Sequence, residues 1–157
     1  MEIDRTSSLN SDGLHLKRPC LAVADLDRSL SLYQKILGFR LDYISEASPT
    51  SYLYAVFGFP KNARLKFATL STEYEPRSLA LTEVKGLDPQ PLTLPHRAAT
   101  VIRVRDLELT IQKIRELGLE AIDPSYFTAP PNLQFTEQAF CDWDGHLMVL
   151  YDVKDNS

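Results

Sequence analysis

The 157 residues carry 17 Lys and Arg against 21 Asp and Glu, a formal charge of -4, with 44% hydrophobic and 24% charged residues. Length and composition are those of one ordinary globular domain whose core closes without disulfides or a structural metal. The charge has the wrong sign for a nucleic-acid surface, and no stretch approaches the roughly 18 apolar residues that span a bilayer, so neither partner is expected.

In chain order, residues 1–13 are polar and without period and read as a loose arm, leaving 14–153 as a single domain. A strand is predicted over Leu16–Val23. It leads into a helix whose apolar residues Leu26, Leu30, Tyr33 and Leu37 recur three or four apart, with Gly38 placed to end it. Strands are then predicted over Phe39–Ser45, Arg64–Ser71 and Ser78–Val84, with one or two helical turns between Ser51 and Phe57. Lys85–Pro95, with Pro89, Pro91 and Pro95, reads as a linker between a first module, 14–84, and a second, 96–153.

The second module repeats the first. Val23-Ala24-Asp25-Leu26 returns as Val104-Arg105-Asp106-Leu107, and both copies open a helix that closes on Leu-Gly. Its predicted parts are a strand over Ala98–Val104, a helix with the stripe Leu107, Ile111, Ile114 and Leu117, and strands over Ala121–Ile122, Gln134–Asp142 and His146–Asp152. Thr128–Asn132 reads as an exposed loop. The expected class is α+β: strand, helix and three strands, written twice. Asp25 or Asp27, and Asp106 or Glu108, fall where a carboxylate caps a helix.

Cys20 and Cys141 are far apart, share no metal-like spacing and have no histidine beside them in sequence. Together with an N-terminus that lacks a basic-then-apolar leader, this leads to the expectation of a cytoplasmic protein with reduced thiols.

The string from Leu21 through Asp25, Leu30 and Tyr33 to Phe39, and the closing Phe140-Cys-Asp-Trp-Asp-Gly-His146, resemble the vicinal oxygen chelate superfamily, the glyoxalase/bleomycin resistance/dioxygenase proteins. The resemblance implies two βαβββ modules forming a curved mixed sheet around a cup, and in many members a divalent metal held by four side chains. It places those four positions on Arg18, Ala80, Ala99 and Val149, none of which ligates a metal. Sliding the fourth strand by three residues would put Glu83 in place of Ala80, and an unconventional site from His15, His96 and Glu83 is the alternative; otherwise no cofactor is expected. His146 reads as structural, at a hairpin turn and facing away from the cup.

Strand alternation outward from Arg18 would line the cup with Arg18, Cys20, Ala22, Ala80, Thr82, Arg97, Val101, Arg103, Leu147, Val149 and Tyr151. Arginine offers a planar fork for a carboxylate, a phosphate or an enolate-like oxygen. Tyr52, Tyr54 and Tyr126, with Phe57, Phe59, Phe127 and Phe135, are candidates for an apolar wall, and Trp143 for a contact surface at an exposed turn. Glu137, Asp142, Glu83, Tyr151 and Arg18 are the groups available for metal-free acid–base chemistry. Three functions compete: a metal-independent binder of a small organic, anionic or aromatic ligand; a lyase, isomerase, epimerase or dioxygenase with atypical ligands; and a homodimeric interaction module. A homodimer is implied by the resemblance in each case.

Overall fold

In the computed structural model, which describes residues 16–88, 94 and 96–157, the sequence repeat becomes two copies of one unit. The first contains β1 (Cys20–Val23), α1 (Leu26–Tyr33), β2 (Arg40–Glu46), α2 (Leu53–Phe57), β3 (Arg64–Ser71) and β4 (Leu79–Lys85). The second contains β5 (Thr100–Arg103), α3 (Leu107–Glu116), β6 (Ser125–Ala129), β7 (Leu133–Cys141) and β8 (Leu147–Asp155). Each unit is a four-stranded mixed sheet, ordered β1-β4-β3-β2 and β5-β8-β7-β6. The pairs β1/β4 and β5/β8 are parallel and the rest antiparallel. The arm, His15 and linker residues 89–93 and 95 lie outside the described residues.

Most strand boundaries shift by one to three residues from the sequence reading, and two elements differ more. Residues 121–122 supply only an isolated bridge, Ala121 to Phe140. The strand is β6, which takes up Tyr126-Phe127-Thr128 and turns at Pro130-Pro131 into β7. The aromatic and β-branched run behaves as strand, and only the prolines form the turn. The first strand is also shorter than predicted, because Pro19 cannot donate to the ladder and pairing starts at Cys20.

Alternation within the sheets decides what is buried. In the first, Leu21, Val23, Ala68, Leu70, Leu79 and Leu81 face α1; in the second, Phe140, Met148 and Leu150 face Leu107, Ile111 and Ile114 of α3. These side chains form one core that includes residues of both modules. The opposite faces stay open to differing degrees: Val101, on the strand beside Val149, is 63% exposed.

Both longer helices begin on two carboxylates. Asp25 Oδ1 accepts from Arg28 N at 3.0 Å and Asp106 Oδ1 from Leu109 N at 3.0 Å, so of the two carboxylates that the sequence offered at each helix start the first is the cap. The second carboxylate comes from the last strand of each sheet. Glu83 Oε2 accepts from Leu26 N at 2.6 Å, and Asp152 Oδ2 accepts from Leu107 N at 2.9 Å. Gly38 (φ 90°) and Gly118 (φ 87°) follow the helices in the left-handed region that other residues adopt only with strain.

The turn between β7 and β8 fastens the second module to the first. Asp142 Oδ2 accepts from Tyr33 Oη at 2.7 Å, while its Oδ1 accepts from Asp144 N at 2.9 Å and His146 N at 2.8 Å. Asp144 Oδ1 accepts from Ala24 N at 2.9 Å and lies 3.3 Å from Arg28 Nη2. His146 Nε2 donates to Ala22 O at 2.6 Å, which gives this histidine a structural contact. Trp143, expected at an exposed turn, is instead partly buried against the core with the Arg28 guanidinium 5.4 Å above its ring. Burial, reinforced by Asp142, holds the Tyr33 hydroxyl protonated far above its ordinary range, so it remains a donor.

Removing this fastening is expected to be costly. Tyr33→Phe should lower stability by about 1–3 kcal/mol by orphaning a buried carboxylate oxygen. Asp142→Ala should cost more, since it strands the Tyr33 hydroxyl and two backbone amides. Urea midpoints at constant slope test both. Asp144 adds a pH dependence, because burial raises its carboxyl above the usual range despite the Ala24 amide and Arg28. The folded state therefore binds this proton more tightly than the unfolded chain. Its contribution is complete below the unfolded value of about 3.9 and is lost as pH rises through the folded value. Asp144→Asn is expected to flatten that limb of the midpoint-against-pH curve.

Candidate functional site

The face of the first sheet turned away from α1 carries a pocket of about 500 Å³. Lys17 and Arg18 enter it from the segment before β1, Cys20 from β1, Ser45 from β2, Phe67 from β3 and Ala80 from β4. Ala47, Ser51 and Leu53 close it from the stretch that leads into α2. The register explains the convergence. Cys20 pairs with Ala80, Phe67 pairs with both Thr82 and Ser45, and residues two apart along a strand share a face.

The approach of α2 is locally encoded. Leu53 N donates to Ser51 Oγ at 3.3 Å, Gly58 ends the helix at φ 71°, and Tyr54 Oη donates to Ala63 O at 2.8 Å. Arg18 Nη1 donates to Arg77 O at 3.3 Å, so part of its fork is occupied and the rest has no hydrogen-bond partner among the described residues. Cys20 Sγ lies 3.4 Å from Thr82 Oγ1. Thr69, fully buried and paired with Ala80, shares this face, and its hydroxyl has no partner among the described residues. Among the described residues, none that lines the pocket is acidic. Two cations above Phe67, Leu53 and two alanines suit an anionic group carried on an apolar body.

The structure brings Arg18, Cys20 and Ala80 together, with Thr82 buried beside Cys20. Tyr52 is 80% exposed and outside the lining, although its neighbours Ser51 and Leu53 are in it. Tyr54 is buried in a small cluster with Ala63 and Leu65, under the Lys61 ammonium. Phe57 stacks on Phe59 at 5.3 Å. In the second module, Val149, Tyr151, Glu137 and the exposed Arg103 share the face turned away from α3. There Phe127 stacks on Phe135 at 4.7 Å, and Tyr151 lies 6.4 Å from Phe135. Arg97 and Ala99 are exposed ahead of β5. Tyr126 pairs with Thr136, which pairs with Asp152, and this puts it on the opposite, helix-bearing face.

Lys17, Ser45, Ala47, Ser51, Leu53 and Phe67 were not legible as pocket residues. Phe67 carried a signal: β3 has its predicted bounds, and alternation with the apolar Ala68 and Leu70 assigns Phe67 to the other face. The rest depend on how the connection through α2 folds back, which has no period to read.

The positions that the resemblance gives to metal ligands do not suit a divalent cation. Arg18 brings a positive charge, while Ala80, Ala99 and Val149 bring alkyl groups. Glu83 lies on the other side of the sheet, where it caps α1 with Lys66 Nζ at 3.9 Å and Lys85 Nζ at 4.0 Å. His96 Nε2 is 3.5 Å from Cys141 Sγ. Among the described residues, no three His, Cys, Asp or Glu side chains converge as ligands.

A family model described as Glyoxalase/Bleomycin resistance protein/Dioxygenase superfamily matches residues 15–150. Among solved structures, a glyoxalase family protein from Bacillus cereus is similar with a TM-score of 0.66 at 15% identity, over 92% of this chain and 97% of that one. Glyoxalase I of Leishmania major, described as trypanothione-dependent, gives 0.58 at 18% identity, over 89% and 87%. The fosfomycin resistance protein FosX of Listeria monocytogenes, as a mutant complexed with Mn(II) and 1S,2S-dihydroxypropylphosphonic acid, gives 0.56 at 19% identity, over 87% and 90%. At these identities the likeness is one of fold. No curated protein sequence matches the chain.

Proposed function

The chain belongs to the Glyoxalase/Bleomycin resistance protein/Dioxygenase superfamily, and within it we propose that this protein binds a small organic anion in the pocket of its first module without a divalent metal. One observation carries the reading: Arg18 stands beside Lys17 over Phe67 and Ala80, at a position where the superfamily resemblance would put a metal ligand. A guanidinium there takes over the role of holding a ligand oxygen directly, by charge-assisted hydrogen bonds that need no intervening ion. The volume is in the range of small-molecule sites. The Listeria neighbour is complexed with a small phosphonic acid, there together with Mn(II). With both cysteines free, a cytoplasmic location fits.

We also infer a homodimer. The outer face of the second sheet exposes Val101 and Phe127 beside the stacked Phe135 and Tyr151, an apolar surface that a second copy would cover. No helix of the described residues is long and apolar enough to cross a membrane.

A thermal-shift and calorimetric screen of aryl and short-chain carboxylates against their neutral amides tests the binding reading. Carboxylates should bind more tightly than amides, and Arg18→Ala should weaken them about 10- to 100-fold, the loss of one or two charged hydrogen bonds. Metal analysis of the same preparation should find no stoichiometric Zn, Mn, Ni or Fe. Binding of no carboxylate, or stoichiometric metal lost on changing His96 or Glu83, would overturn the reading. For the dimer, sedimentation should give twice the chain mass, falling to the monomer in Val101→Asp; a monomer in the unaltered protein refutes it.

A further inference from the structure

The anion pocket contains a nucleophile that reversible binding does not use. Cys20 lines it together with both of its cations. We propose that Cys20 covalently captures electrophilic carboxylates, in particular γ-oxo-enoates, whose anionic end docks on Arg18 and Lys17 while the conjugated carbon meets the sulfur. The inference rests on the reading of the pocket as an anion site and adds a bond-forming step to it.

Four observations converge on this sulfur. It is half-buried and free, not sealed in the core. Two cations and no carboxylate share its cavity, a setting that concentrates anionic reagents. The Thr82 hydroxyl, 3.4 Å away, has sulfur as its neighbour and donates to it once the thiol proton has left. The Thr69 hydroxyl, fully buried on the same face next to Ala80, has no partner among the described residues.

The other cysteine supplies an internal contrast. Cys141 follows the same strand alternation onto the outer face of the second sheet, but burial and the adjacent Asp142 push its thiol up. Cys141 Sγ has the His96 imidazole 3.5 Å away, with Asp142 turned to the buried face, whereas an anionic reagent approaching Cys20 meets Arg18 and Lys17.

The chemistry balances without a redox partner. The Cys20 thiol gives its proton to solvent, and the sulfur lone pair forms a C–S bond to the β-carbon of the enone. The C=C pair moves onto the carbonyl as an enolate, which takes a proton from water at the α-carbon. The product is a thioether with the mass of thiol plus electrophile.

Rates of alkylation near neutral pH by iodoacetate and iodoacetamide, each forming a C–S bond and expelling iodide, are to be followed site by site by peptide mass. The iodoacetate-to-iodoacetamide ratio should be about tenfold higher at Cys20 than at Cys141. Lys17→Ala combined with Arg18→Ala should bring the two ratios together. β-Benzoylacrylate should add one equivalent at Cys20 faster than its methyl ester does. Equal ratios at the two cysteines, an ester as fast as the acid, or labelling confined to Cys141 would overturn the proposal. Cys20→Ser separates the two levels. If it still binds carboxylates reversibly while the unaltered protein shows no charge-selective labelling, covalent capture fails and the anion pocket stands. If carboxylate binding is absent from the unaltered protein as well, both fail.

Discussion

The hydrogen bond from Leu26 N to Glu83 Oε2, at 2.6 Å and buried, constrains much of the rest. An α-helix leaves its first amides without partners, and a buried helix start without acceptors carries an energetic penalty for each. Glu83 reaches α1 because it lies opposite Val23 on the neighbouring parallel strand, with its side chain on the helix face. Side chains alternate with a period of two, so that commitment sends Thr82 to the other face and Ala80 with it. The pocket is therefore lined by what remains after the carboxylate has been used for capping. Asp152 makes the same commitment beneath α3, leaving Val149 and Tyr151 on the outer face of the second sheet.

Capping also explains why the chemistry of the first face is cationic although the chain is acidic overall. Two carboxylates of the pocket strands are engaged elsewhere: Glu83 with Leu26 N and two lysines, Asp42 with the Ser71 hydroxyl. Were an anion bound at Arg18, as proposed, no acid within the lining would oppose the attraction, and low-dielectric walls such as Phe67 and Leu53 would strengthen it. The net charge of -4 describes the surface as a whole and has little bearing on this cavity.

Much of the architecture was legible because periodicity and capping are local. The two apolar stripes, the glycines at 38 and 118, the local caps Asp25 and Asp106 and the position of β3 all follow from residues within one or two turns of each other. The site was legible in part, through alternation from Arg18 to Cys20 and by pairing to Ala80. What escaped depends on contacts between residues distant in sequence. That Glu83 caps a helix rather than facing the pocket requires knowing that β4 pairs with β1 in this register, 57 residues away. That Trp143 is covered requires Arg28 to arrive from the other module. Tyr126 was attractive as an aromatic, yet its face is set by pairing with Thr136, a register fixed across a turn read as part of a longer loop.

The repeat gives each outer face its counterpart, and the comparison shows how one backbone plan supports two different surfaces. By the parallel pairings, Cys20 beside Ala80 in the first sheet corresponds to Val101 beside Val149 in the second. By the same spacing Arg18 corresponds to Ala99. The helix-facing positions hold to type: Val23 and Val104 at the strand ends, Glu83 and Asp152 at the caps, and leucines at both helix starts. Those positions close the core and satisfy buried amides, so a change there costs stability. The outward positions differ in kind, with Arg18, Lys17 and Cys20 over Phe67 and Ala80 on one face and Val101, Val149 and stacked aromatic rings, alongside Arg103, Glu137 and Cys141, on the other. A polar, cation-lined cavity is solvated as it stands and suits a small ligand, whereas an exposed apolar sheet gains most by being covered. Under the proposed reading, a division of labour between the two modules would follow from that difference in hydration, with equivalent cores and caps beneath both.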